Sequence, residues 1–121
     1  QADEWGEERM DNAWNFPALV DFGIPMAIGT DWPVWPTPDI MVNLWTAVSG
    51  LNDRAIPIDK AFWGYTEGAF ECMNLSNDYG CLREGCIADM VVVDSDPFAA
   101  DASQIANIEI FDLWLNGEKI P

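Results

Sequence analysis

Histidine is absent from this chain of 121 residues, and Lys and Arg together number five against 21 Asp and Glu, for a formal net charge of −16. The acids are scattered, not gathered into a tail, so their field repels phosphate backbones and anionic lipids and argues against nucleic-acid or membrane-surface partners. No segment approaches the roughly 20 apolar residues that a bilayer-spanning helix needs. The cysteines are three, Cys72, Cys81 and Cys86, with no C-x-x-C pair. An odd count argues against a disulfide framework and fits a reduced compartment, although one pair can form on oxidation. With neither histidine nor a second cysteine pair, Cys81 and Cys86 make no zinc site, and the expected role of all three is that of small hydrophobes.

What the chain does have is apolar bulk. Half of its residues are hydrophobic and seven are Trp, far from the composition of a disordered segment. Its length suits one folded domain, without internal repeats or low-complexity tracts. The run Ile24-Pro25-Met26-Ala27-Ile28-Gly29-Thr30 stops at Asp31. A short continuous apolar run predicts a strand buried on both faces, as in parallel sheets packed under helices. Asp31 then stands at the strand's C-terminal end, where α/β enzymes place catalytic and metal-binding groups.

Punctuation organises the rest. Residues 10–22 carry a loosely helical apolar stripe interrupted by Pro17 and stopped by Gly23. Trp32 to Pro38 holds three prolines and reads as a rigid loop. Thr37, Pro38 and Asp39 supply an N-cap, a first-turn proline and a dipole-favoured acid for a helix with Ile40, Met41, Leu44, Trp45 and Val48 on its apolar face, closed by Gly50. A second helical region runs from Pro57 to about Leu75, with Thr66 expected to kink or recap it between Gly64 and Gly68. After residues 77–80 the period becomes extended. Met90 to Val93 predicts a buried strand, Ile108 to Ile110 and Leu113 to Leu115 alternate, and Asn116-Gly117 is a type I′ hairpin signal before Glu118 to Ile120. Asp89 and Asp94, which bracket the valine strand, read as turn and strand-end hydrogen-bonding groups. Asp94-Ser95-Asp96 reads as a solvated turn, since it lacks the glycine and terminal glutamate of a calcium loop.

Gly29-Thr30-Asp31-Trp32-Pro33-Val34 resembles the G-S-D-W-P-V segment of the amidohydrolase superfamily, in its amidohydrolase-3 branch. Upstream, Gly6 to Arg9 and Leu19 to Gly23 are similar to the helix before that family's eighth barrel strand. Downstream, Ala61 to Thr66 with Ala69 resembles A-L-x-x-Y-T-x-x-A, and Gly80 to Asp94 resembles G-S-L-x-x-G-K-x-A-D-L-V-V-L-D, with Thr30, Cys81 and Cys86 as departures. The resemblance implies an α/β fold: residues 1–76 as the last part of a (β/α)8 barrel and 77–121 as part of a small β-sandwich. Because such a barrel needs about 250 residues, and because the family's His-x-His pair, mid-barrel ligand and two further histidines have no counterpart here, the expectation is a C-terminal fragment of a larger enzyme.

In enzymes that the chain resembles, the strand-8 aspartate contacts the metal centre and takes a proton from the attacking water. By that resemblance Asp31 is both catalytic residue and metal ligand, and Trp32 and Trp35 are expected to line a substrate pocket or, equally, to seal the barrel mouth. An aspartate ending an apolar strand is otherwise more often a cap or turn former. The implied reaction is hydrolysis of an amide, carbamate or N-formyl C–N bond in a small-molecule substrate, with a divalent metal, zinc by resemblance, in the intact enzyme and none expected in this chain alone. The alternative is a truncated paralogue that serves as an interaction module. A homo-oligomer and a cytoplasmic location complete the expectations.

Overall fold

The computed structural model describes residues 2–50, 53–75 and 78–121. Three short helices open the chain, α1 (Ala2–Trp5), α2 (Glu7–Asn12) and α3 (Phe16–Asp21), followed by α4 (Ile40–Ser49), α5 (Ile58–Tyr65) and α6 (Glu67–Cys72). Strand β1 (Met90–Val93), a 3-10 helix over Ala102–Asn107, β2 (Ile110–Leu115) and β3 (Glu118–Ile120) complete the order. Pro17 does not interrupt a helix; it starts one. It stands in the first turn of α3, where its missing N–H costs nothing, and Asn15 caps that helix by accepting from the Ala18 N–H at 3.3 Å.

The helix expected after the proline loop forms, but its cap lies two residues further on. Asp39, not Thr37, accepts from the Met41 and Val42 amides at 2.9 and 3.3 Å, while the Thr37 hydroxyl accepts from the Asp39 N–H and shapes the approach. A carboxylate is the stronger acceptor and lies closer to the helix dipole. Gly50 ends α4 with φ 63°. Thr66 separates α5 from α6, and it does so by back-bonding: its hydroxyl donates to the Phe62 carbonyl at 2.9 Å and caps no amide ahead of it.

The core gathers Met41 and Leu44 of α4, Ile56, Ala61 of α5, and Ile105 and Ile108 from the 3-10 helix and its exit. One core therefore draws residues from both sides of the boundary expected between residues 76 and 77, which itself lies outside the described residues. Asn43, the buried polar residue of α4, is satisfied by donating its amide to the main-chain carbonyls of Asp39 and Thr37.

The sheet is antiparallel in the order β1-β2-β3, with Val91 opposite Leu113 and Leu113 opposite Ile120, and with a register irregularity between Val92 and Val93. Asn116 and Gly117, at φ 51° and 80°, make the tight turn that the sequence demanded. Asp89 accepts from the Asn116 N–H at 2.7 Å and Asp94 from the Glu109 N–H at 3.1 Å, the strand-end roles expected of them. Val91 and Val92 are exposed, however, so β1 is not the buried strand its composition suggests.

Two further expectations are corrected. Residues 24–31 form no strand: 24–30 have no regular structure and Asp31 begins a turn, since among the described residues no neighbouring strand offers them a ladder. Met26, Ile28 and Thr30 are half-buried while Ile24, Pro25, Ala27, Gly29 and Asp31 are exposed, so the run is covered only in part. It is held against α5, where the Ile28 N–H donates to the Gly64 carbonyl at 3.0 Å. Likewise, Cys81 and Cys86 are not merely small hydrophobes: they are bonded to each other, and Cys72 is the exposed free thiol. A Gly85 at φ 95° between them lets the chain double back far enough for the bond.

Candidate active site

The Asp31 turn is built by its own backbone. Thr30 accepts from the Trp32 N–H through its hydroxyl at 3.1 Å, the Asp31 carbonyl accepts from the Val34 N–H at 2.8 Å, and the Trp32–Pro33 peptide is cis. Asp31 itself takes φ 51°, the left-handed region that Asp and Asn tolerate better than most residues. Its carboxylate is thereby presented on an exposed turn.

A cavity of about 840 Å³ opens beside that turn, lined by Gly29 and Trp35 from the turn's two flanks, by Met10 of α2, Phe16 of α3 and Trp14 from the link between them, and by Arg54. Trp14 is braced by stacking on Trp5 with ring centroids 6.0 Å apart. Arg54 spans the cavity by donating from its guanidinium to the Asp11 main-chain carbonyl. The Trp35 indole N–H is buried and has no hydrogen-bond partner, a state that costs about 1–3 kcal/mol unless something accepts from it.

The three residues singled out from the sequence thus part company. Trp35 lines the cavity, whereas Trp32, 61 % exposed, and Asp31 stand on the turn and are not among its lining residues. Arg54 and Trp14 were missed as site residues. Arg54 had a signal: it is one of five cations in a chain with 21 acids, and such a residue facing an apolar cavity stands out. Trp14 had none, since its place in a helical stripe gave no hint of its φ of 53°. Among the described residues no group of three or more Cys, Asp or Glu side chains is placed to hold a metal ion. Burial raises the Tyr65 phenol above its ordinary value, and that residue lines neither this cavity nor a smaller one of about 290 Å³ between residues 23–26 and α5.

Comparison with known proteins gives this geometry its context. Residues 1–120 match the sequence profile of the Amidohydrolase family. A putative amidohydrolase, YtcJ of Bacillus subtilis, is 31% identical over 127 residues, which cover 96% of this chain and 24% of that protein. Among solved structures, an amidohydrolase from Thermotoga maritima superposes with a TM-score of 0.68 at 20% identity, over 88% of this chain and 25% of its own. An adenosine deaminase from Xanthomonas campestris with bound zinc superposes equally well, at 24% identity over 84% of this chain and 27% of its own. The chain thus spans about a quarter of the length of the proteins it matches.

Proposed function

Because the chain belongs to the amidohydrolase family, we propose that the complete protein hydrolyses a C–N bond of amide, carbamate or N-formyl type in a small-molecule substrate. In this reading residues 1–76 are the late part of a (β/α)8 barrel and 77–121 part of its β-sandwich, with residues 24–31 in the place of the last barrel strand. The observation that carries it is the turn after that segment. The family-like Gly29 to Val34 sequence holds one carboxylate, Asp31, on an exposed turn at the end of an apolar run, where an attacking water could reach it as a proton acceptor. As the water oxygen bonds to the carbonyl carbon, Asp31 takes its proton; when the C–N bond breaks, the same proton goes to the departing nitrogen.

A divalent metal, zinc by family likeness, belongs to this proposal for the complete enzyme; when bound it would supply Lewis acidity. The described residues do not fit one on their own, for Asp31 stands without a second and third ligand. We assign no step to it. Trp35 contributes on the substrate side: its unpartnered indole N–H can donate to a substrate oxygen, and its ring adds flat apolar area.

Asp31→Asn in the complete enzyme tests the assignment. Asn fits the left-handed φ at least as well as Asp, so folding should be unchanged. It cannot accept the water's proton, so turnover should fall on the order of a hundredfold or more. A variant with normal melting and near-normal turnover would remove Asp31 from the mechanism.

A further inference from the structure

The Cys81–Cys86 bond closes a six-residue ring, with Cα atoms 6.0 Å apart. Both cysteines are half-buried, while Leu82, Arg83, Glu84 and Gly85 between them are all exposed, Leu82 to 84%. A small thiol can therefore reach the bond from the ring side without unfolding the core. The ring is also fastened to the helical layer. Arg83 pairs with Glu67 in the first turn of α6 at 2.5 Å, and Gly80, immediately before the ring, lies so close that a Cβ there would fall 2.8 Å from the Glu67 N and Cα. Tyr79 stacks on Phe70 of α6 with centroids 5.1 Å apart. After the ring, the Ile87 N–H returns to the Asp78 carbonyl at 2.8 Å, and β1 begins three residues later.

The ring thus sits on the crossing by which the chain passes from α6 to the sheet. We propose that Cys81 and Cys86 form a thiol–disulfide exchange site, with a low-molecular-weight disulfide of the glutathione type as its redox partner, and that its oxidation state sets how firmly residues 78–89 are held on α6. The chemistry balances. One cysteine thiolate attacks the glutathione disulfide and releases one reduced glutathione; the second attacks the resulting mixed disulfide and releases the other. Two protein thiols become one disulfide, and the two electrons and two protons leave on the glutathione pair. In the reduced state the Arg83–Glu67 pair, the Tyr79–Phe70 stack and the close contact at Gly80 must hold an open, exposed loop on α6 without the cross-link, and surface ion pairs of this kind contribute little.

The test uses the protein with Cys72 replaced by Ser, so that a single pairing is possible among these three cysteines. After equilibration in buffers of graded reduced-to-oxidised glutathione ratio, thiol alkylation read by peptide mass spectrometry should show Cys81 and Cys86 passing together from protected to alkylated. Limited trypsin digestion of the same samples should cut after Arg83 about tenfold faster in the reduced form, as local opening predicts. Cys81→Ser with Cys86→Ser should be cut at the fast rate in every buffer. Should that variant fold poorly, the rate contrast between oxidised and reduced samples still decides the matter. Cysteines protected at every ratio would make the bond a static cross-link, and cysteines alkylated at every ratio would show that it does not form. A cutting rate indifferent to the redox state would show that the ring does not control the crossing. Any of these three overturns the proposal.

Discussion

At Trp35, two roles consistent with one side chain are separable by experiment. If the indole only fills space, its unpartnered N–H is a burden, and Trp35→Phe trades some lost packing for relief of a donor left unsatisfied at about 1–3 kcal/mol. Stability should then change little. If the N–H donates to substrate in the complete enzyme, as proposed, the same variant should raise KM about tenfold, the equivalent of about 1.4 kcal/mol, with kcat and melting temperature close to those of the parent. A variant that alters melting alone would leave Trp35 as a wall. That these residues were legible at all is due to their neighbours: Asp31 could be picked out because an apolar run stops at it. Its φ of 51° could not be read, since nothing in Thr30-Asp31-Trp32 requires a left-handed residue; the conformation comes from the turn that closes on Val34. Trp14 and Arg54 reach the cavity from 17 residues before Asp31 and 23 residues after it only through folding, a distance over which sequence patterning is silent.

The same contrast between local and distant causes runs through the elements. Helix α4 was legible to within two residues, its cap falling at Asp39 instead of Thr37 and Trp45 standing exposed, because its acceptors, most of its apolar face and its terminating glycine are written within the segment. The hairpin at Asn116-Gly117 was legible for the same reason. The segment 24–31 was not, since a strand exists only with a neighbour to pair with, and among the described residues it has none. What it does pack against is unusual. Gly64 is buried in α5 where a Cβ would stand 2.7 Å from the Ile28 side chain and 3.3 Å from the Met26 carbonyl. The bare helix face is what lets Met26 and Ile28 approach α5 so closely, and so fixes the approach to Asp31. Gly64→Ala should therefore destabilise the protein by about 1–2 kcal/mol. Overpacking costs about 1–3 kcal/mol, and the gain of up to about 1 kcal/mol in helix propensity offsets only part of it. Chemical denaturation would check this, and a stabilised variant would show that the contact yields freely.

For the whole molecule, surface is the revealing quantity. The chain exposes 8678 Å², whereas a self-contained domain of 13.5 kDa would expose about 6,500 Å². Much of the excess is apolar and organised. Alternation along β2 puts Phe111, Leu113 and Leu115 on one sheet face, and the register adds Val91 of β1 and Ile120 of β3 to it. All five are exposed, Phe111 to 68%, while the other face carries the Asp112–Lys119 ion pair. Monomers rarely leave contiguous apolar patches larger than a few hundred Å² bare, and such faces mark association sites. Pairing two such faces would remove apolar surface from water at roughly 25 cal/mol per Å², against about 4–15 kcal/mol of lost freedom on association. The net charge of −16 opposes association, but screening over about 8 Å at physiological salt leaves close apolar contact intact. The 121-residue chain should accordingly sediment as dimers or larger species at micromolar concentration. Phe111→Glu with Leu113→Lys, which places charge in the middle of the face, should return it to monomer without loss of helical signal. A parent chain that is folded and monomeric throughout that range would show that the exposed face tolerates water, and that the excess surface has some other cause.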